Sequence, residues 1–307
     1  MKQLRNYSLL AGAMLTLALT SCGNDGIEAQ VYDGPVAAQV TAGINGVLTR
    51  AVDASWENND AIGISCSGTN TNYDNMRYVT TGNGTFTHDG GTKSGIFFQG
   101  TEEVTFSAYY PFNGTEKSPA GTINGVTTEN QANQKSFDYL YATNATTTYA
   151  NPTISFTGAS VFKHKMARLI LKITTSEADG FSAGDVTSGT YSISGIKHSG
   201  TFNTADGTAT ATGSAIDDWT ITATAQDAND QRTYSMIFYP QGQSTLTFKA
   251  VIGGQTYTKD ITPALTASTS NTYTITVKKT GLVVSGSTIE GWGEEEEGSG
   301  DATMPAN

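Results

Sequence analysis

Cysteine, charge, histidine and long apolar runs are all scarce in this chain, and each shortage removes a class of protein. Only Cys22 and Cys66 occur among 307 residues. If lipid takes Cys22, as argued below, no intramolecular disulfide can form and stability rests on packing. Charged residues make up 15% and the net charge is -11. A nucleic-acid surface needs the opposite sign, so nucleic acid is excluded as a partner. His88, His164 and His198 lie far apart, with no His-x-His or His-Glu-x-x-His grouping. No metal site or other cofactor is therefore expected, and the histidines are assigned to surface or loop positions. The apolar run Leu9 to Leu19 is shorter than the roughly 20 residues that a spanning helix requires.

Helical periodicity is also missing, and alternation takes its place. Val104, Phe106 and Ala108 share one face of a predicted strand. The same period recurs in Leu169, Leu171 and Ile173, in Tyr234, Met236 and Phe238, in Leu246, Phe248, Ala250 and Ile252, and in Tyr273, Ile275 and Val277. Asn83-Gly84, Asn113-Gly114 and Asn124-Gly125 supply residues that tolerate the positive φ of tight hairpins. Short alternating strands with frequent turns predict an all-β chain of sandwich type with little helix. An internal echo suggests two sandwiches: Gly84-Thr85-Phe86 precedes Tyr110-Pro111 much as Gly200-Thr201-Phe202 precedes Tyr239-Pro240. Proline cannot donate a ladder hydrogen bond, so Tyr-Pro suits the end of a strand. The basic cluster Lys163 to Arg168 marks the boundary, giving domains at 51–165 and 166–292.

The first fifty residues read as an address. Lys2 and Arg5 precede the apolar run, which ends at Leu19-Thr20-Ser21-Cys22. That order matches a bacterial lipoprotein signal, residues 1–21, with Cys22 as the lipidated residue. The tether 22–50 contains a candidate strand at 36–44, where Val36, Ala38, Val40, Ala42 and Ile44 alternate with Ala37, Gln39, Thr41 and Gly43. It ends at a lone Arg50, followed by Ala51.

Other candidates for chemistry read as structural. Cys66 alternates with Ile62 and Ile64 and is expected to be a small buried residue. Adjacent carboxylates at Glu102-Glu103 and Asp217-Asp218 would point to opposite sides of a strand, unlike a glycosidase pair. Asp227 to Asp230 lacks the glycine and closing glutamate of an EF-hand. Trp56, Trp219 and the tyrosines could stack on sugar rings, although core and turn packing is favoured. Glu294 to Glu297 begins an acidic tail, 293–307. No catalytic residue is assigned and the chain is expected not to be an enzyme.

Several segments together resemble the fimbrillin family of the Bacteroidales: the signal with Cys22, Thr49-Arg50-Ala51, and Ser55 to Ile64. Ala108 to Pro111, Asp138 to Ala142, Phe162 to Leu169 and Ile289-Glu290-Gly291-Trp292 extend the likeness to nearly the whole chain. The resemblance implies a type V pilus subunit made of two tandem transthyretin-like β-sandwich domains. It implies export as an outer-membrane lipoprotein, cleavage between Arg50 and Ala51 by an Arg-specific protease, and polymerisation with other pilus subunits by strand exchange at the cell surface. The expected donor is 282–292, where Leu282, Val283, Val284 and Ile289 are apolar. An uncut anchor, a tip subunit and a glycan-binding surface lipoprotein remain alternatives, and a host protein or glycan ligand stays open.

Overall fold

Alternation along the sequence becomes alternation of burial along the strands. The computed structural model describes residues 32–45, 55–91, 94–182, 184–228 and 230–292. In chain order the first strands are β1 (Val36–Ala37), β2 (Gln39–Ala42), β3 (Asn58–Ser67), β4 (Asn72–Thr81), β5 (Thr85–His88) and β6 (Phe97–Phe98). Then come β7 (Val104–Tyr110), β8 (Thr122–Thr127), β9 (Leu140–Thr147), β10 (Thr153–Phe156), β11 (Lys163–His164) and β12 (Ala167–Thr174). After these follow β13 (Thr190–Ser194), β14 (Ser199–Asn203), β15 (Ala209–Thr212), β16 (Trp219–Thr220), β17 (Gln226–Ala228) and β18 (Gln231–Phe238). The last are β19 (Gly242–Gln243), β20 (Leu246–Ile252), β21 (Gln255–Ile261), β22 (Ala264–Leu265), β23 (Thr269–Lys278) and β24 (Gly281–Gly291). Helix is confined, among the described residues, to one four-residue turn at Asp185–Ser188 and three 3-10 segments. The all-β expectation holds.

An eight-stranded sheet runs in the order β10-β2-β5-β4-β3-β7-β9-β11. Its core holds Val40, Ile62, Ile64, Met76, Phe86, Phe98, Phe106, Phe156 and Phe162. A five-stranded sheet, β17-β18-β12-β23-β24, and a four-stranded sheet, β16-β13-β20-β21, belong to a second core. Leu169, Leu171 and Ile173 of β12 are fully buried there, as are Phe248 and Ala250 of β20. The parallel pairing of β12 with β23 brings Leu169, Leu171 and Ile173 opposite Asn271, Tyr273 and Ile275. Each strand of this kind excludes water with every second side chain, at roughly 1.5–3 kcal/mol for a fully buried Val, Leu, Ile or Phe.

Between these cores lies a third, containing Tyr109, Phe137, Tyr139, Met166, Phe202, Ile237, Tyr239 and Trp292. Its sheet, β15-β14-β8, joins a strand before Lys163 to two strands after it. Tyr139 stacks on Phe202 with centroids 4.4 Å apart, and Gly200 is required because a Cβ there would meet the Tyr239 ring at 2.2 Å.

Two sequence expectations need correction. Asn124-Gly125 forms no hairpin; it lies inside β8, where the register slips between Ser199 opposite Thr127 and Thr201 opposite Asn124. The positive φ of 78° at Gly125 serves a bulge instead. Nor are the histidines superficial: His164 and His198 are each 1% exposed. Each has a partner at Nδ1, His164 in Asp138 at 2.9 Å and His198 in Thr128 at 3.1 Å, which eases the entry of an imidazole into a core, although His198 Nε2 finds no partner among the described residues.

Candidate functional site

The segment that precedes Arg50 in sequence is an interior strand of the first sheet. β2 pairs antiparallel with β5 and parallel with β10, so both of its edges are occupied. Val40 is 1% exposed and Ala42 5%, whereas Gln39 faces outward. Val36, Ala38 and Ile44 are half-buried on the same alternation. Over 36–44 the backbone forms two short strands, β1 and β2, followed by a bridge from Ile44 to Phe162.

Backbone bonds tie this segment along its length. Ala38 donates to Ile96 O at 2.9 Å, Ala42 to Gly84 O at 2.8 Å and Gly43 to Phe156 O at 3.0 Å. Asn45 donates to Phe162 O at 2.7 Å, and Phe162 returns a bond to Gly43 O at 3.1 Å. Beneath the strand, Trp56 packs edge-on against Phe86 at 5.0 Å and Phe162 at 5.2 Å. Its indole N–H donates to Ala42 O at 2.8 Å. Removing the segment would expose two sheet edges and an apolar floor at once.

A small cleft opens beside the end of this segment, lined by Ile44, Trp56, Asp60, Tyr110, Asp138 and His164. Tyr110 donates to Asp60 at 3.0 Å. Burial first, then the Asp60 carboxylate, pushes this phenol far above its ordinary value, so it stays protonated. His164 uses Nδ1 toward Asp138 and stacks on Trp292, with centroids 3.8 Å apart and planes 7° from parallel. These groups lock one another in place.

At the other end of the chain, β24 is an edge strand held by β23. Leu282 is buried, while Val283 and Ile289 are 44% and 58% exposed. Their pairing on β23 shifts by one residue between Thr274 opposite Gly286 and Ile275 opposite Val284. The expected donor segment is thus seated on its own chain, with exposed apolar side chains and a buried terminal Trp292.

The remaining candidates take structural roles. Cys66 is buried, and loss of solvent pushes its thiol up to about 11, leaving no thiolate at neutral pH. Glu102 accepts from Asn70 and Thr71, and these bonds, the Asn70 side chain foremost, hold its carboxyl below the ordinary value. Asp218 pairs with Lys249 and Ser192, and Asp227 pairs with Arg232. No group of three or more metal-ligating side chains occurs among the described residues. Trp56 and Trp219 are 6% and 7% exposed, so neither offers a face to a sugar. Cys22, Arg50 and Ala51, the expected lipidation and cleavage positions, lie outside the described residues.

Two features escaped the sequence reading. Trp292 was legible only as the end of the motif Ile289-Glu290-Gly291-Trp292. Gln131, 3% exposed, was invisible: its amide accepts from Ile237 N and donates to Ile237 O, both at 2.8 Å. A glutamine mimicking a strand leaves no periodic signal.

The fimbrillin-like family model matches residues 49–292. A protein of Bacteroides uniformis named as a candidate fimbrium subunit, Fim1C, is 31% identical over 94% of this chain and 96% of its own length. A crystal structure from Bacteroides uniformis, described as a candidate cell adhesion protein, shares 28% identity with a TM-score of 0.64, covering 85% of this chain and 100% of its own. Another so described, from Bacteroides ovatus, has the same fold with a TM-score of 0.68 at 22% identity, covering 85% and 99%. The chain belongs to the fimbrillin-like family.

Proposed function

We propose that this chain is a structural subunit of a cell-surface fimbrium that exchanges one strand during assembly and serves adhesion. It is exported as a lipoprotein on Cys22, held at the outer membrane, and cut between Arg50 and Ala51 by an Arg-specific protease. The cut frees 22–50, and β2 leaves its place between β5 and β10. A C-terminal segment of the next copy, 282–292, fills the vacated groove. The two main cores correspond to two transthyretin-like sandwiches, 51–165 and 166–292.

The observation that carries this reading is the position of β2. A segment that ends at a basic residue and is discarded has no need to be an interior strand with Val40 at 1% exposure. Placed there, it satisfies the edges of β5 and β10 until a substitute arrives. Val283 and Ile289 on β24 are exposed apolar side chains that a receiving groove would cover.

Energetics explain why proteolysis must supply direction. A replacement strand regains side-chain burial of about 5–10 kcal/mol at roughly 1–2 for each modest apolar group. Ordering some ten residues costs about the same, at roughly 1–2 kcal/mol each. A covalently attached β2 competes at high effective concentration, so an intact chain keeps its own strand.

Limited digestion of the full chain with an Arg-specific protease, followed by gel analysis without boiling and electron microscopy, tests the proposal. Cleavage after Arg50 should yield ladders of SDS-resistant oligomers, and Arg50→Ala should stay a folded monomer. Cleavage without oligomers would remove the exchange reading. Failure of the native organism to cut at Arg50 would turn the same geometry into a permanent anchor.

A further inference from the structure

β24 changes character halfway along. Leu282 is buried and Val284 half-buried, yet Ser285, Gly286, Ser287, Thr288, Ile289 and Glu290 are exposed in unbroken succession. A strand with one covered face alternates; this stretch has neither face covered. Besides Trp292, the ladder to β23 secures it, with an irregularity beside Ser285, and the Ser285 hydroxyl adds long contacts to Thr274 O at 3.3 Å and Thr276 Oγ1 at 3.4 Å. An exposed ladder of this kind opens far more easily than a core strand.

Trp292 interrupts that exposure abruptly. It is 4% exposed and belongs to the third core. Its ring lies flat on His164 at 3.8 Å, and the Arg168 guanidinium sits 4.9 Å from its centroid. Its backbone N–H donates to Ser268 O at 2.7 Å. His164 is held in turn by Asp138 and by the pairing of β11 with β9. The indole N–H, however, finds no acceptor among the described residues. A buried donor left unpaired opposes the packing that surrounds it. The side chain is therefore well stacked and imperfectly satisfied, as a contact that must open should be.

We propose that Trp292 is a latch. Its stacking on His164 pins the stretch Ser285–Gly291 to β23 in the free subunit, and its withdrawal releases that stretch for capture by a second copy of the chain. The purpose of the latch rests on the strand-exchange reading above; its mechanics do not. An unlatched strand would fray continuously and risk pairing with any open edge. A strand buried along its whole length would never leave.

Hydrogen exchange followed by mass spectrometry on the full, uncut chain tests this. Trp292→Ala should speed exchange of the amides of 285–291 by roughly ten- to a hundred-fold, while those of β2 and β12 exchange as in the wild type. Ile289→Ala, altering the most exposed apolar side chain of the stretch, should change nothing; an equal acceleration there would overturn the latch. Should Trp292→Ala unfold, Trp292→Leu decides, because it keeps apolar bulk without stacking: faster exchange confined to 285–291 supports the proposal. Unchanged exchange in whichever Trp292 variant folds overturns it. The measurement is made on monomer, so absence of oligomers after cleavage would count against strand exchange alone.

Discussion

The indole N–H of Trp56 and the carbonyl oxygen of Ala42 meet at 2.8 Å, joining across Arg50 the segment that would be lost and the body that would remain. Trp56→Phe keeps one aromatic ring near Phe86 and Phe162 but deletes this bond together with part of the indole's packing. A buried carbonyl then loses one partner, and the intact chain should be destabilised by about 1–2 kcal/mol. Urea unfolding measures the loss; exchange at Gly43 and Ile44 should rise while β12 stays protected.

Val40 marks the centre of the same strand. Val40→Ala should cost about 1–3 kcal/mol through lost burial and a small cavity. Val40→Glu is the more decisive change, because an unpaired carboxylate will not stay between β5 and β10. The variant should leave its groove open and oligomerise without any cut, which size-exclusion chromatography with light scattering would detect.

His198 sets an acid limit on stability. Burial among Trp219 and Phe238 lowers its pKa from the ordinary 6.5, with partial relief from Thr128 and Glu129. The folded state keeps the ring neutral while the unfolded chain takes up a proton near 6.5. Its contribution is therefore complete above about pH 6.5 and declines as pH falls toward and through the lowered value. Urea midpoints measured between pH 7.5 and 5 should fall in the wild type and fall less in His198→Gln. Parallel slopes would contradict this.

Gln131 tests whether the two main cores are joined by more than chain connection. Its amide bonds Ile237 twice and also donates to Thr128 O at 2.7 Å. Gln131→Ala should cost about 2–4 kcal/mol, since each lost bond contributes roughly 0.5–1.5 and buried backbone groups are left bare. A double-mutant cycle with Tyr139→Phe would show whether the third core responds as one unit.

The strands were legible because water is excluded from every second residue, and β7, β12, β20 and β23 therefore carry their burial in their sequences. The same exclusion governs β2, where Val40 and Ala42 are buried and Gln39 is exposed. Asn124-Gly125 misled because positive φ serves bulges as well as hairpins. His164 and His198 misled because a polar ring reveals its burial only through partners, Asp138 and Thr128, that are distant in sequence. The Trp292 stack depends on His164, 128 residues away, and no local pattern can announce it.

The central claim is that the strand from Val36 to Ile44 is exchangeable. The most direct test is to cut the purified full chain with an Arg-specific protease, then follow release of the 22–50 peptide by mass spectrometry together with oligomer formation on gels run without boiling. The account predicts that peptide release and SDS-resistant ladders appear together after cleavage at Arg50, and that excess synthetic peptide spanning Val36 to Asn45 suppresses the ladders. A chain cut at Arg50 that retains the peptide indefinitely, or releases it and stays monomeric, would contradict it.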